Sequence, residues 1–286
     1  MIFNTIVAFV AALGFVSGTP VVKRDAPTDT DILQYALTLE HLENAFYHEA
    51  LGKFGAHAFN KAGFPSWVRG RFEQIAEHEK AHVGFLEAAL GPAATKPCNY
   101  KFPYTDPKSF AALSMILEGV GVSAYLGAAQ YIKTPGYLTA AGSILTTESR
   151  HAAWVASAVN KGTPWSGALD VPLSLDQVYS LAAGFITSCP PTNPTLPVKA
   201  FPSLTTSKAA PGATITLTFN HTAGNYYLAV LSGLTTTYVP INNNNKATLP
   251  EGLAGTVYAV VTTSKDTVAD DNTVAGPAVF VFPDNE

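Results

Sequence analysis

The chain has 286 residues, with 17 basic and 21 acidic side chains and a formal charge of −4, and so lacks the basic footprint that nucleic-acid binding requires. Charged residues make up only 13% of it while Thr, Ser, Asn and Ala are abundant, a composition that agrees with an extracellular address rather than a charged intracellular surface. Residues 1–18 contain an apolar run at 6–16 followed by Ser17 and Gly18, too short to span a bilayer and shaped like a secretory signal peptide, although no basic side chain precedes the run. Residues 19–28, with the dibasic Lys23-Arg24, are expected to be a propeptide or linker. No later segment offers a long uninterrupted apolar run, and the tail at 283–286 lacks a lipid-anchor signal. A secreted, soluble chain without a membrane anchor is expected.

Punctuation sets the limits of the helices. The first starts near residues 28–31, acidic and able to cap, and ends by Gly52 or Gly55. A second runs from Pro65-Ser66 to Gly91-Pro92. A long loop then leads to Asp106-Pro107, a cap followed by proline in the first turn, where its missing donor costs nothing. The third helix extends to about Lys133, and Thr134-Pro135 repeats the device for a fourth that ends near Gly162. A shorter amphipathic segment at 173–188 completes a helical region over 29–189, with its long connection between the second and third helices.

Five prolines between 190 and 202 mark a stiff linker and a domain boundary. Beyond it Ile215, Leu217 and Phe219 alternate with threonines, and further strand-like runs at 226–231, 237–240, 255–262 and 278–282 are separated by Gly, Asn and Asp turns. Residues 203–286 therefore read as a small β-sandwich of immunoglobulin-like character, giving an α+β multidomain chain. Asn220-His221-Thr222 is a glycosylation sequon. Cys98 and Cys189 either form a disulfide that pins the last helical segment to the loop after the second helix, or remain a pair of buried thiols.

The chemistry lies in an internal repeat. Glu40 is followed seven residues later by Tyr47, then comes Glu79-x-x-His82; Glu118 is followed by Tyr125, then comes Glu148-x-x-His151. Residues three apart share a helix face, so each Glu-x-x-His step aims a carboxylate and an imidazole at one point. Each acidic group sits within an otherwise apolar stripe, where a carboxylate is costly unless paired or bound to metal. Four glutamates carry four negative charges, which two divalent cations would cancel, and two imidazoles would complete the shells.

This is the ligand pattern of a dinuclear carboxylate site in a four-helix bundle. Residues 29–189 resemble the ferritin-like superfamily, and the run at 39–47 (LEHLENAFY) is similar to the secreted fungal members described as stress-response, desiccation-related or late-sexual-development proteins. The resemblance implies a ferritin-like four-helix bundle with a short fifth helix, and carries metal ligation onto Glu40, Glu79, His82, Glu118, Glu148 and His151. Glu43, one turn after Glu40, is an additional candidate ligand, although its counterpart in the repeat is Gly121. Tyr47 and Tyr125 recur and are either hydrogen-bond partners of the ligands or plain core aromatics. Arg150 resembles the arginine of the Glu-x-Arg-His motif of some diiron oxygenases, but Thr147 stands where those have Asp. His41, His48 and His78 have no counterparts in the repeat and read as surface or supporting groups.

Oxygen-rich sites with two imidazoles suit iron or manganese. Glu79 and Glu148 are the expected bridges and Glu40 and Glu118 the terminal ligands. The expected function is a secreted di-metal oxidoreductase acting on peroxide, dioxygen or ferrous ion in stress or development. The alternative is a non-catalytic extracellular or cell-wall structural protein that retains the bundle, with its β-domain contacting wall or protein.

Overall fold

A computed structural model describes residues 26–283, so the expected signal peptide, most of the segment after it and the last three residues lie outside the described part. Its helices are α1 (Asp29–Lys53), α2 (Ala56–Lys61), α3 (Trp67–Leu90), α4 (Pro107–Ala128), α5 (Pro135–Trp154) and α6 (Leu175–Ala183). Thr28 caps α1 reciprocally with Asp31, and Asp106 caps α4 with Ser109, Pro107 occupying the first turn. Thr134 does not cap α5 through its side chain. Instead the Asp29 carboxylate accepts the N–H groups of Lys133 and Thr134, at 2.8 and 2.9 Å, so the start of α1 ties down the residues that lead into α5.

Three local expectations change. The loop after α1 contains α2, whose Phe59 is fully buried against Phe72 and Phe110. The fourth long helix leaves α geometry after Trp154 and widens into a π turn over Val155–Val159. The segment expected as a fifth helix splits: α6 ends at Ala183, and Ile186–Ser188 forms strand β2, antiparallel to β1 (Asn99–Tyr100). A disulfide joins Cys98 to Cys189 at the foot of this ribbon, closing 91 residues of chain.

The long helices pack as α1 with α3 and α4 with α5. One end of the bundle is aromatic, built on Phe46, Tyr47, Phe72 and Phe110; the other is aliphatic, with Leu33, Leu37, Val83 and Leu86. Continued by one 3-10 turn, α4 has a mean hydropathy of 1.5 over its most apolar stretch and the length to cross a membrane, contrary to the expectation from sequence. It is covered on one side by α1 and α5 and on the other by α6 and the β-strands.

The C-terminal part holds two antiparallel sheets. One has the order β3-β4-β7 (Thr205–Thr206, Thr214–Thr218, Lys246–Thr248). The other has β6-β5-β8-β9 (Thr235–Pro240, Tyr227–Ser232, Gly255–Thr262, Thr273–Phe282). They share a core in which Ile215 and Leu217 meet Leu228, Val230, Val257 and Ala259. The opposite face of β5 and β8, with Ala229, Leu231, Tyr258 and Val260, packs onto Ile32, Val120, Ala124 and Ala128 of the helices. Both faces of these two strands are thus buried, which explains their continuous apolar runs.

The Pro-rich segment is laid along the molecule. Lys199 and Phe201 N–H groups bond Asp176 Oδ1 and Ser180 Oγ of α6, at 2.9 and 2.8 Å, and the Pro202 carbonyl accepts from Gly276 N–H. The chain before α6 presses onto α4 at Gly127, where any Cβ would stand 1.8 Å from the Leu173 carbonyl oxygen. The Tyr258 hydroxyl donates to the Gly119 carbonyl at 3.0 Å and accepts from Ser123 Oγ at 3.1 Å.

Candidate metal centre

Between the aromatic and aliphatic ends, α1 supplies Glu40, α3 Glu79 and His82, α4 Glu118, and α5 Glu148 and His151. The four glutamates are at most 1% exposed. His82 Nδ1 lies 3.3 Å from Glu40 Oε2, 3.2 Å from Glu79 Oε2 and 3.2 Å from Glu148 Oε1. His151 Nδ1 lies 3.2 Å from Glu79 Oε1 and 3.0 Å from Glu118 Oε2. One ring nitrogen carries at most one proton to donate, so more acceptors converge on each imidazole than its N–H satisfies.

The shortfall shows atom by atom. Glu40 Oε2, Glu79 Oε1 and both oxygens of Glu148 are buried without a hydrogen-bond partner. Such groups cost several kcal/mol together unless something positive sits among them, at about 1–3 kcal/mol each. The ligand atoms fall into two overlapping groups within 4.8 Å, Glu40-Glu79-His82-Glu148 and Glu79-Glu118-Glu148-His151. Each group is an oxygen-rich set with one imidazole, and Glu79 and Glu148 belong to both. The donor set fits a pair of cations.

Without cations the charges are settled by protons. Burial, then repulsion from neighbouring carboxylates, raises Glu79, Glu148 and Glu43 well above the ordinary carboxylate range. Burial likewise pushes Glu118 up to about 8, although the Tyr47 hydroxyl opposes it. Burial acts to lower His82, but the carboxylates of Glu148, Glu40 and Glu79 outweigh it and raise the imidazole to about 12.

The tyrosines cross between the halves of the repeat. Tyr47 of α1 donates to Glu118 Oε1 of α4 and shares a 2.7 Å hydrogen bond with Ser114, while Tyr125 of α4 donates to Glu40 Oε1 of α1 at 2.5 Å. Each hydroxyl therefore fixes one oxygen of a carboxylate whose other oxygen faces a histidine. His78, read from the sequence as a surface or supporting group, takes the supporting role. Its Nδ1 lies 2.8 Å from Nε2 of His151 and the two rings stack, with centroids 5.1 Å apart. Its position one turn before His82 was the available signal. Among the described residues His82 has no corresponding partner on its other ring nitrogen.

Glu43 is buried yet belongs to neither ligand group, so its carboxyl stands beside the centre rather than within it. Arg150 points away: two residues after Glu148 is about 200° around a helix, and its exposed guanidinium donates to Thr147 Oγ1 at 3.0 Å. It lines an open cleft of about 340 Å3 over His151, with Arg71, Gln74 and His78. A second cleft, about 250 Å3, lies over His82 between Ala81, Phe85, Ser143 and Thr147. His41 bonds the Thr95 carbonyl oxygen at 3.1 Å, away from the cluster.

Protein rds1 of Schizosaccharomyces pombe is 26% identical over 176 residues, covering 62% of this chain and 44% of that protein, so the chain spans less than half the length of this relative. A family model described as the ferritin-like domain matches residues 28–161, the segment from the cap of α1 through the π turn that carries all six converging side chains. The chain is thus a helical region, similar over residues 28–161 to the ferritin-like domain, joined to two antiparallel β-sheets.

Proposed function

We propose that the chain is a secreted ferritin-like metalloprotein whose cluster holds two iron or manganese ions, with redox chemistry on peroxide, dioxygen or ferrous ion in a stress or developmental response. The observation that carries this reading is the set of four buried carboxylate oxygens left without hydrogen-bond partners inside two overlapping ligand groups. Glu79 and Glu148 would bridge, Glu40 with His82 would complete one ion's shell, and Glu118 with His151 the other's. When bound, such a pair supplies a two-electron change shared between two centres.

The chain's own groups orient and select. Tyr47 and Tyr125 hold Glu118 and Glu40 in place, and His78 fixes the far nitrogen of His151. The clefts over His82 and His151 admit small polar reactants, and the apolar ends of the bundle keep bulk water out. Secretion is supported by the disulfide and by Asn220 standing exposed just after β4. The two sheets are read as an immunoglobulin-like sandwich whose outer surface meets cell wall or protein.

Elemental analysis of secreted protein, paired with peroxide-decay and ferrous-oxidation assays on the same sample, tests the proposal. About two iron or manganese ions per chain with turnover are expected. A chain that takes up no metal after reconstitution would leave a structural polar core and a non-catalytic extracellular role.

A further inference from the structure

The clefts over the histidines open between α3 and α5. A different space, about 250 Å3, lies between α1, α4, α6 and β9. Its walls are apolar, with Leu42, Leu113, Ile116, Val120 and Phe185 among them, and among the described residues Glu43 is the one charged group that lines it. Glu43 is 6% exposed and makes no hydrogen bond to any described residue. The cavity reaches the metal centre at Gly121. A Cβ built there would stand 3.2 Å from Glu43 Oε1 and 2.8 Å from Glu148 Oε2, so the two carboxyl groups meet in the room that glycine leaves. Glu148 belongs to both ligand groups.

We propose that this cavity binds a neutral, mainly apolar organic molecule with one hydrogen-bonding group, which Glu43 holds beside the metal centre. The inference rests on the metal-centre reading for its function, and on the cavity alone for binding. An engineered apolar cavity of ~150 Å3 stays dry and takes benzene, so this space suits a two-ring or short branched molecule. Water is a poor occupant, because a buried water needs about two to four polar partners and these walls offer one side chain. A charged body of either sign would lose its hydration against these aliphatic walls. The site is thereby two-sided, with small polar reactants at the histidine clefts and an organic molecule at the Glu43 wall.

The test is a fluorescence titration of the full chain, metal-loaded and metal-stripped, with 2-naphthol and with naphthalene, each sample assayed for metal. Saturable binding of 2-naphthol at one site is expected in both forms. Ile116→Trp, which fills the cavity, should weaken both probes more than ~10-fold, and Glu43→Leu should lower the 2-naphthol to naphthalene affinity ratio by about 10-fold, the worth of one buried hydrogen bond. If Ile116→Trp fails to fold, Leu113→Phe occupies the same space. A metal-loaded chain that binds neither probe, or a filled cavity that binds both unchanged, overturns the inference and leaves the metal reading intact. A chain that binds 2-naphthol but takes up no metal sinks the metal reading and keeps the cavity.

Discussion

The first half of the repeat, α1 with α3, and the second, α4 with α5, contribute identical ligand types and reciprocal tyrosines but different neighbours. Where the first half has Glu43 the second has Gly121, and where the first has His78 the second has Thr147. The two breaks fall on different sides of the site. Gly121 makes the space that Glu43 enters, and His78 of one half supports His151 of the other. The repeated positions are the ones that the proposed pair of cations would require. The unrepeated ones give the two sides of the centre different surroundings.

Removing a shared ligand should have the largest effect. Glu148→Ala takes an oxygen ligand from both groups, and metal content should fall from about two ions per chain to nearly none; Glu40→Ala should leave about one. Equal losses in the two variants, read by elemental analysis, would sink the assignment of Glu148 as a bridge. Next comes the glycine: in Gly121→Ala the new methyl must displace the Glu148 carboxyl, and metal affinity should drop by ~10-fold to 100-fold. The reciprocal Glu43→Gly, which makes the halves alike, should keep full metal content. A chelator-competition titration distinguishes the two.

His78→Ala should weaken one ion by ~10-fold while Thr147→Ala changes neither, and matching affinities in both variants would remove His78 from any supporting role. The last prediction concerns the metal-free chain, in which the folded state binds more protons than the unfolded one. Glu118 is raised from 4.5 to about 8 and His82 from 6.5 to about 12. Their stabilisation is present at low pH and is lost as pH rises across those windows. The melting temperature of stripped protein should therefore fall between about pH 5 and pH 8, and bound metal should flatten the slope. A melting temperature that rises over that range in the stripped protein contradicts the assignment.

The six converging side chains were legible because a helix turns sequence spacing into a shared face, and because the spacing occurs twice. Helix starts were legible wherever a capping side chain precedes proline or an acidic turn, as at Asp106-Pro107. The start of α5 at Thr134-Pro135 was legible in the same way, but the bonds that tie it down were not, because they come from Asp29, over a hundred residues earlier. The tyrosines were visible as a recurrence, but their partners lie on the opposite half and depend on packing. Gly121 was visible only as a gap in the repeat; that the gap is occupied space is a fact of three dimensions. The run at 228–231, apolar without alternation, already carried the sign that both faces of that strand are covered. The proline-rich stretch read as a spacer because proline stiffness is local, whereas the bonds from Asp176, Ser180 and Gly276 that lay it down are long-range.

Tyr258 bears on how such a molecule can be inherited. Its hydroxyl joins a late β-strand to the turn of α4 beside Glu118, and its ring covers a helix face that would otherwise be bare apolar surface. A gene fragment encoding the helices alone would release a protein whose ligand-bearing helix exposes Val120, Ala124 and Ala128 to water, an aggregation hazard rather than a smaller working version. Ancestors that exchanged or lost the second part would have needed a replacement cover at the same moment, so the two parts are expected to descend together.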